Sequence, residues 1–149
     1  MMTAKDIMET QVISVSPDME IKKAVTLLLD NHINGVPVVD DENRIVGLLC
    51  QSDLIFQQKE IHMPPILTLL DSYIPLVSSQ KLEEELNKIA ATRVEQAMVT
   101  DVTTVTADTP ITEIANLMVE KHFHTIPVVD GMTVIGIIGK EDVLKTMSG

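Results

Sequence analysis

The chain has 149 residues, 45% of them apolar but only 2% aromatic, so a core must be built from Val, Ile, Leu, Met and Ala in one compact domain or two small subdomains sharing it. A formal net charge of −11 argues against a nucleic-acid backbone or an anionic membrane surface as partner, because both are held by clustered Lys and Arg. No apolar run approaches the ~18 residues of a membrane span. Met1-Met2-Thr3-Ala4-Lys5-Asp6 lacks a signal-peptide core and Cys50 stands alone, so a cytoplasmic protein without an intrachain disulfide is expected.

In chain order, Thr3-x-x-Asp6 leads into a short helical turn near Met8, and Val12–Val15 reads as a short strand. Ser16-Pro17-Asp18 supplies helix-start chemistry. Ile21, Ala24, Val25 and Leu28 then share one helical face at i, i+3, i+4 and i+7. That helix is expected to stop before Pro37, since the residue preceding a proline is disfavoured in helical geometry. Val36–Val39 and Ile45–Leu49 read as a hairpin closed by Asp40-Asp41-Glu42-Asn43-Arg44. Its near-continuous Val, Ile and Leu predict strands buried on both faces. A further helix begins near Ser52.

The next stretch, 58–91, is poor in Gly and carries patterned apolar residues, which argues against a flexible linker. Ile66, Leu69, Leu70 and Tyr73 fall on one helical face, and Leu82, Leu86, Ile89 and Ala90 on another. A helical insert packed on the core or on a second subunit is expected, with a ligand-gated lid as the alternative. Glu83-Glu84-Glu85 is a solvated face.

Beyond the insert the first pattern returns. Thr92-x-x-Glu95 reads as a capping box leading to Met98. Val102–Val105 reads as a strand, and Thr106-Ala107-Asp108 as a helix start. Ile111, Ile114, Ala115 and Met118 share a helical face. Ile126-Pro127-Val128-Val129-Asp130 and Val134-Ile135-Gly136-Ile137-Ile138 form a second hairpin, closed more tightly through Asp130-Gly131-Met132, and a last helix begins near Glu141. Pro127 follows Pro37 by 90 residues and Asp142 follows Asp53 by 89, so one residue is missing from the second hairpin turn. The division is therefore 1–57, 58–91 and 92–149: a repeat, an insert and a repeat.

These motifs resemble the CBS domain, named for cystathionine β-synthase. Its β-α-β-β-α unit carries an apolar residue before Pro-Val-Val-Asp, then Gly, with Ser or Thr three residues later and Asp six residues later. Residues 4–57 and 92–147 are covered, and two copies in the same order resemble a tandem CBS pair, or Bateman module. The resemblance implies an α/β (α+β) fold in which the repeats form a pseudo-twofold disc, often paired into a homodimer. It implies adenosine derivatives (AMP, ADP, ATP or S-adenosylmethionine) in two clefts between the copies, with no cofactor required and no catalysis. Regulation of an unidentified partner protein would be the output.

Carried over by position, one cleft combines Cys50, Ser52 and Asp53 with Met98, Thr103, Phe123 and His124. The other combines Gly139, Glu141 and Asp142 with Met8, Ile13, Ile33 and Asn34. A carboxylate at Asp53 or Asp142 suits the paired hydroxyls of a ribose, and free helix-start amides suit a phosphate. Each aspartate is equally suited to capping its own helix. The sequence departs from the family where Cys50 and Gly139 replace Ser or Thr: a thiol is a weak donor and glycine offers only backbone. Ser52 and His124 favour a phosphate, whereas Glu141 repels one, so the first cleft is the stronger candidate and the second the weaker.

Other readings are structural. His32 and His122 match each other where helices end, a position that favours cations. His122-x-His124 has no further ligands to complete a metal site, the Met-rich faces fill core gaps, and Cys50 has no base to make it a nucleophile. The competing function is a dimerisation or protein-docking scaffold without a physiological nucleotide.

Overall fold

The computed structural model describes residues 1–54 and 92–148; the insert expected at 58–91 lies outside them. The first repeat contains α1 (Ala4–Ile7), α2 (Ile21–Asp30), β1 (Gly35–Val39) and β2 (Ile45–Cys50), and a helix begins over 51–54. The second contains α3 (Val94–Ala97), α4 (Ile111–Lys121), β3 (Thr125–Asp130), β4 (Thr133–Gly139) and α5 (Lys140–Lys145). The fold is thus α+β, with each hairpin an antiparallel sheet of two strands.

The hairpins share one register. Pro37 pairs with Leu48 and Pro127 with Ile137, and each ladder bulges just after its middle valine, Val38 or Val128. A proline tolerates this place because the missing N–H is not required, while its carbonyl accepts from a third segment: Val15 N–H donates to Pro37 O, and Val105 N–H to Pro127 O, both at 3.1 Å. The strands expected at Val12–Val15 and Val102–Val105 reduce to these single parallel bridges, Val15 to Val38 and Val105 to Val128. One residue of each segment reaches the ladder, too few for a strand. Burial on both faces holds for β1 and β3, whereas β2 and β4 alternate between buried and half-buried positions.

Each repeat completes the core of the other. One core gathers Val15, Ile21, Ala24, Leu28, Val36, Val38 and Leu49 of the first repeat with Val94 of the second. The other gathers Val105, Ile114, Ile126, Val128 and Ile138 with Ala4 of the first. Backbone bonds follow the exchange: Glu9 pairs with Ile137 and Val99 with Leu48. The hairpin turns also meet, with Asn43 Nδ2 donating to Val134 O at 3.1 Å and Ile45 N–H to Met132 O at 2.8 Å. Neither repeat therefore owns a complete core, which is why two copies occur together.

The same exchange shifts the helix starts. Ser16-Pro17-Asp18 and Thr106-Ala107-Asp108 form turns, and the helices begin later, after Glu20 and Pro110, with no side-chain cap. Their first amides are satisfied by the other repeat: Ile21 N–H donates to Thr92 O and Ile111 N–H to Met2 O. The capping box expected at Thr92 and Glu95 is displaced by one residue, because Arg93 N–H donates to Gln96 Oε1 at 2.7 Å. A box also forms at Thr3 and Asp6, where only a helical turn was expected, with Thr3 N–H donating to Asp6 Oδ2 at 2.8 Å.

The helices do not run up to the prolines. They end at Asp30 and Lys121, followed by left-handed His32 (φ 54°) and His122 (φ 59°). At His32 the chain closes with Ile33 N–H on Leu28 O and His32 N–H on Leu29 O, so these carbonyls of the last turn are satisfied well before the proline is reached.

Candidate functional site

A cavity of about 440 Å³ opens on the seam between the repeats, within the ~300–1,000 Å³ usual for small-molecule sites. The first repeat supplies Asn34 at the mouth of β1, Leu48 and Cys50 on β2, and Gln51, Ser52 and Asp53 on the following helical turn. The second supplies Val99, Asp101, Val102 and Thr103 from the segment after α3, and His122, Phe123, His124 and Thr125 from the α4–β3 junction.

The end of β2 positions Asp53. Cys50 N–H donates to Asp53 Oδ2 at 2.8 Å, so the carboxylate caps the turn that carries it. A carboxylate has about four acceptor positions, so capping leaves room for a ligand's hydroxyls. Burial raises the Asp53 pKa above its 3.8 reference, and the Cys50 amide opposes that shift. Burial also pushes the Cys50 thiol from 9.0 to about 11, with the Asp53 charge adding to it. Cys50 is therefore a protonated, half-buried thiol rather than a nucleophile.

Six of the seven residues assigned by sequence to the first cleft line this one cavity: Cys50, Ser52, Asp53, Thr103, Phe123 and His124. The seventh, Met98, is not in its lining. It packs beside the first core and over Gly47, whose missing side chain leaves the space that Met98 fills.

Of the second group, Asn34 lines the cavity that holds Asp53, and the other members are not in its lining. The cause is local. Asn34 O accepts from Gln51 N–H at 2.9 Å, and Ile33 O from Gln51 Nε2 at 3.0 Å, tying the α2–β1 junction to the turn that holds Asp53. Asp142 reproduces the Asp53 cap, accepting from Gly139 N–H at 2.7 Å. Met8 covers Gly136, while Ile13 and Ile33 pack on the first core. Glu141 is exposed on α5.

Leu48, Gln51, Val99, Asp101, Val102, His122 and Thr125 also line the cavity, and sequence reasoning did not assign them to it. Gln51 and Val102 are chain neighbours of assigned residues, and Leu48 alternates with Cys50 on β2, so adjacency was the available signal. Val99 arrives through its bridge to Leu48, a long-range pairing that sequence spacing does not reveal. Among the described residues, no group of three or more His, Cys, Asp or Glu could hold a metal ion. No described helix is long and apolar enough to cross a membrane.

Comparison with known proteins agrees with this architecture. The family model of the CBS domain matches residues 4–60 and 94–149. The chain belongs to the CBS domain family, as a tandem pair. Protein MJ1426 of Methanocaldococcus jannaschii, itself uncharacterized, is 28% identical over 156 residues, covering 98% of this chain and 91% of that protein. Among solved structures, CBSX2 in complex with AMP superposes with a TM-score of 0.74 at 23% identity, covering 98% of this chain and 96% of that one. The CBS domain pair of protein MJ0100, in complex with 5-methylthioadenosine and S-adenosyl-L-methionine, gives 0.71 at 23% identity, covering 99% and 97%. At such identity these structures speak for the fold.

Proposed function

We propose that the chain is a non-catalytic regulatory module that senses an adenosine-containing small molecule in the seam cavity. The observation that carries this reading is the meeting of Asp53, from one repeat, with Thr103 and His124, from the other, around a single cavity of ligand size. The complexes of two similar folds with AMP and with S-adenosyl-L-methionine support the ligand class.

In this reading Asp53 accepts hydrogen bonds from the ribose hydroxyls. Ser52 and His124 meet a phosphate, and Leu48, Val99 and Val102 wall the base. The cleft around Gly139, Glu141 and Asp142, with Met8, Ile13, Ile33 and Asn34, is a weaker second site, because Glu141 sets a like charge against a phosphate. Since the cavity walls come from both repeats, a ligand that fits one relative orientation better shifts the population toward it. The output passes through another protein or a second copy of the chain.

Calorimetric titration with AMP and S-adenosylmethionine tests the reading. Saturable binding is expected, and Asp53→Ala should weaken it by ~1.5–3 kcal/mol, the cost of losing charge-assisted hydrogen bonds. A second reading is a homodimeric docking scaffold. Leu29, 62% exposed on α2, and Val119, 73% exposed on α4, favour it, because both present apolar side chains to solvent at matching positions. A folded wild type that binds no adenosine derivative selects that reading.

A further inference from the structure

Thr125 is the buried polar residue of the described chain, 7% exposed, and it lines the cavity. Among the described residues its hydroxyl has no hydrogen-bond partner, yet no buried side-chain oxygen is sealed off unsatisfied, so this oxygen faces the cavity. A hydroxyl open to the cavity keeps its donor and its acceptor capacity for a molecule bound there. Its neighbour across the seam is Gly35. A Cβ on Gly35 would stand 2.9 Å from Cys50 Sγ and 3.2 Å from Thr125 Oγ1, so the glycine lets these two cavity-lining side chains approach one point from opposite repeats.

We infer that Thr125 is a ligand-contacting residue that supplies the hydroxyl missing at position 50. Cys50 stands where the repeat pattern calls for Ser or Thr, and its thiol is a weak donor. Thr125 brings an oxygen to the same point from the opposite repeat. The Cys50 amide already holds Asp53, so the contact falls at the oxygen-rich sugar-phosphate end of the ligand rather than at the base. The hydroxyl both donates and accepts, which suits either a ribose hydroxyl or a phosphate oxygen. This inference rests on the adenosine reading of the cavity. It also removes an objection to that reading, since loss of the hydroxyl at position 50 no longer deprives the cleft of one.

Thr125→Val, nearly isosteric, separates a ligand contact from a structural role. AMP affinity, by calorimetry, should fall about tenfold, which is ~1.4 kcal/mol. The thermal midpoint without ligand should hold, because no intramolecular hydrogen bond is lost. Thr125→Ser should keep affinity within about threefold of wild type. A valine variant that binds AMP as tightly as wild type overturns the inference and leaves the adenosine reading standing. So does one whose ligand-free midpoint drops, which would reveal a structural hydrogen bond. If wild type binds neither AMP nor adenosine, the adenosine reading falls and takes this inference with it.

Discussion

Met98, from the second repeat, reaches to 2.5 Å from the point where a Cβ would stand on Gly47 of the first. Met8, from the first repeat, does the same at Gly136 of the second. Each glycine is therefore required by the other repeat's methionine, and the pair of contacts is the side-chain counterpart of the exchanged cores. Gly47→Ala should destabilise the chain by ~1–3 kcal/mol, the usual cost of overpacking. Met98→Ala in that background should recover part of the loss, because the two sites couple through direct contact. Denaturant unfolding of the two single variants and the double variant measures that coupling, and strict additivity would contradict it.

Asp53 should show opposite effects on stability and binding. Burial raises its folded pKa above 3.8, so the folded chain holds the proton more tightly than the unfolded one. Its contribution to stability then falls as pH rises from 3.8 through the raised value, and above it the ionised group is a net cost. Asp53→Asn keeps an oxygen that can accept from Cys50 N–H but removes the charge. At pH 7 its ligand-free melting temperature should equal or exceed that of wild type, while AMP affinity falls at least tenfold. Lower stability together with unchanged affinity would mean that the carboxylate serves only the helix.

Cys50 should react slowly. A pKa raised from 9.0 to about 11 leaves about a hundredth of the thiolate at pH 8. Alkylation by iodoacetamide should accordingly run on the order of a hundredfold slower than that of a small free thiol. Bound adenosine ligand should slow it further, because Cys50 lines the cavity. A rate matching the free thiol would contradict the burial seen at the end of β2.

Charge should rank the ligands. Asp53 and Asp101 line the cavity, and among the described residues no Lys or Arg does. Each phosphate beyond the first adds negative charge near two carboxylates. Without magnesium, affinity should drop from AMP to ADP to ATP by ~1 kcal/mol per step. Competition titration checks the order, and ATP binding more tightly than AMP would reverse it. His124→Ala should reduce affinity for AMP more than for adenosine, since the role proposed for it is toward the phosphate.

Much of this arrangement was legible in the sequence. The paired Pro-Val-Val-Asp segments and the glycine and aspartate spacing marked the repeats and both hairpins, and the CBS resemblance implied Asp53 and His124 in one cleft. Other features were not, because they depend on contacts between repeats. The late starts of α2 and α4 follow from amides satisfied by Thr92 and Met2, carbonyls distant in sequence. That Asn34 also lines the Asp53 cavity was not legible either, because the cavity forms only where segments of both repeats meet. Thr125 offered only its adjacency to His124, and the role proposed for it rests on Gly35 opening the space opposite.

The most direct test is an amide NMR titration of the full chain with AMP. The largest shift changes should fall on residues 48–53, 99–103 and 122–125, the two walls of the seam cavity, and Asp53→Ala should weaken the response. Absence of change at saturating AMP, or changes centred on Gly139, Glu141 and Asp142 with the Asp53 side silent, would contradict the account.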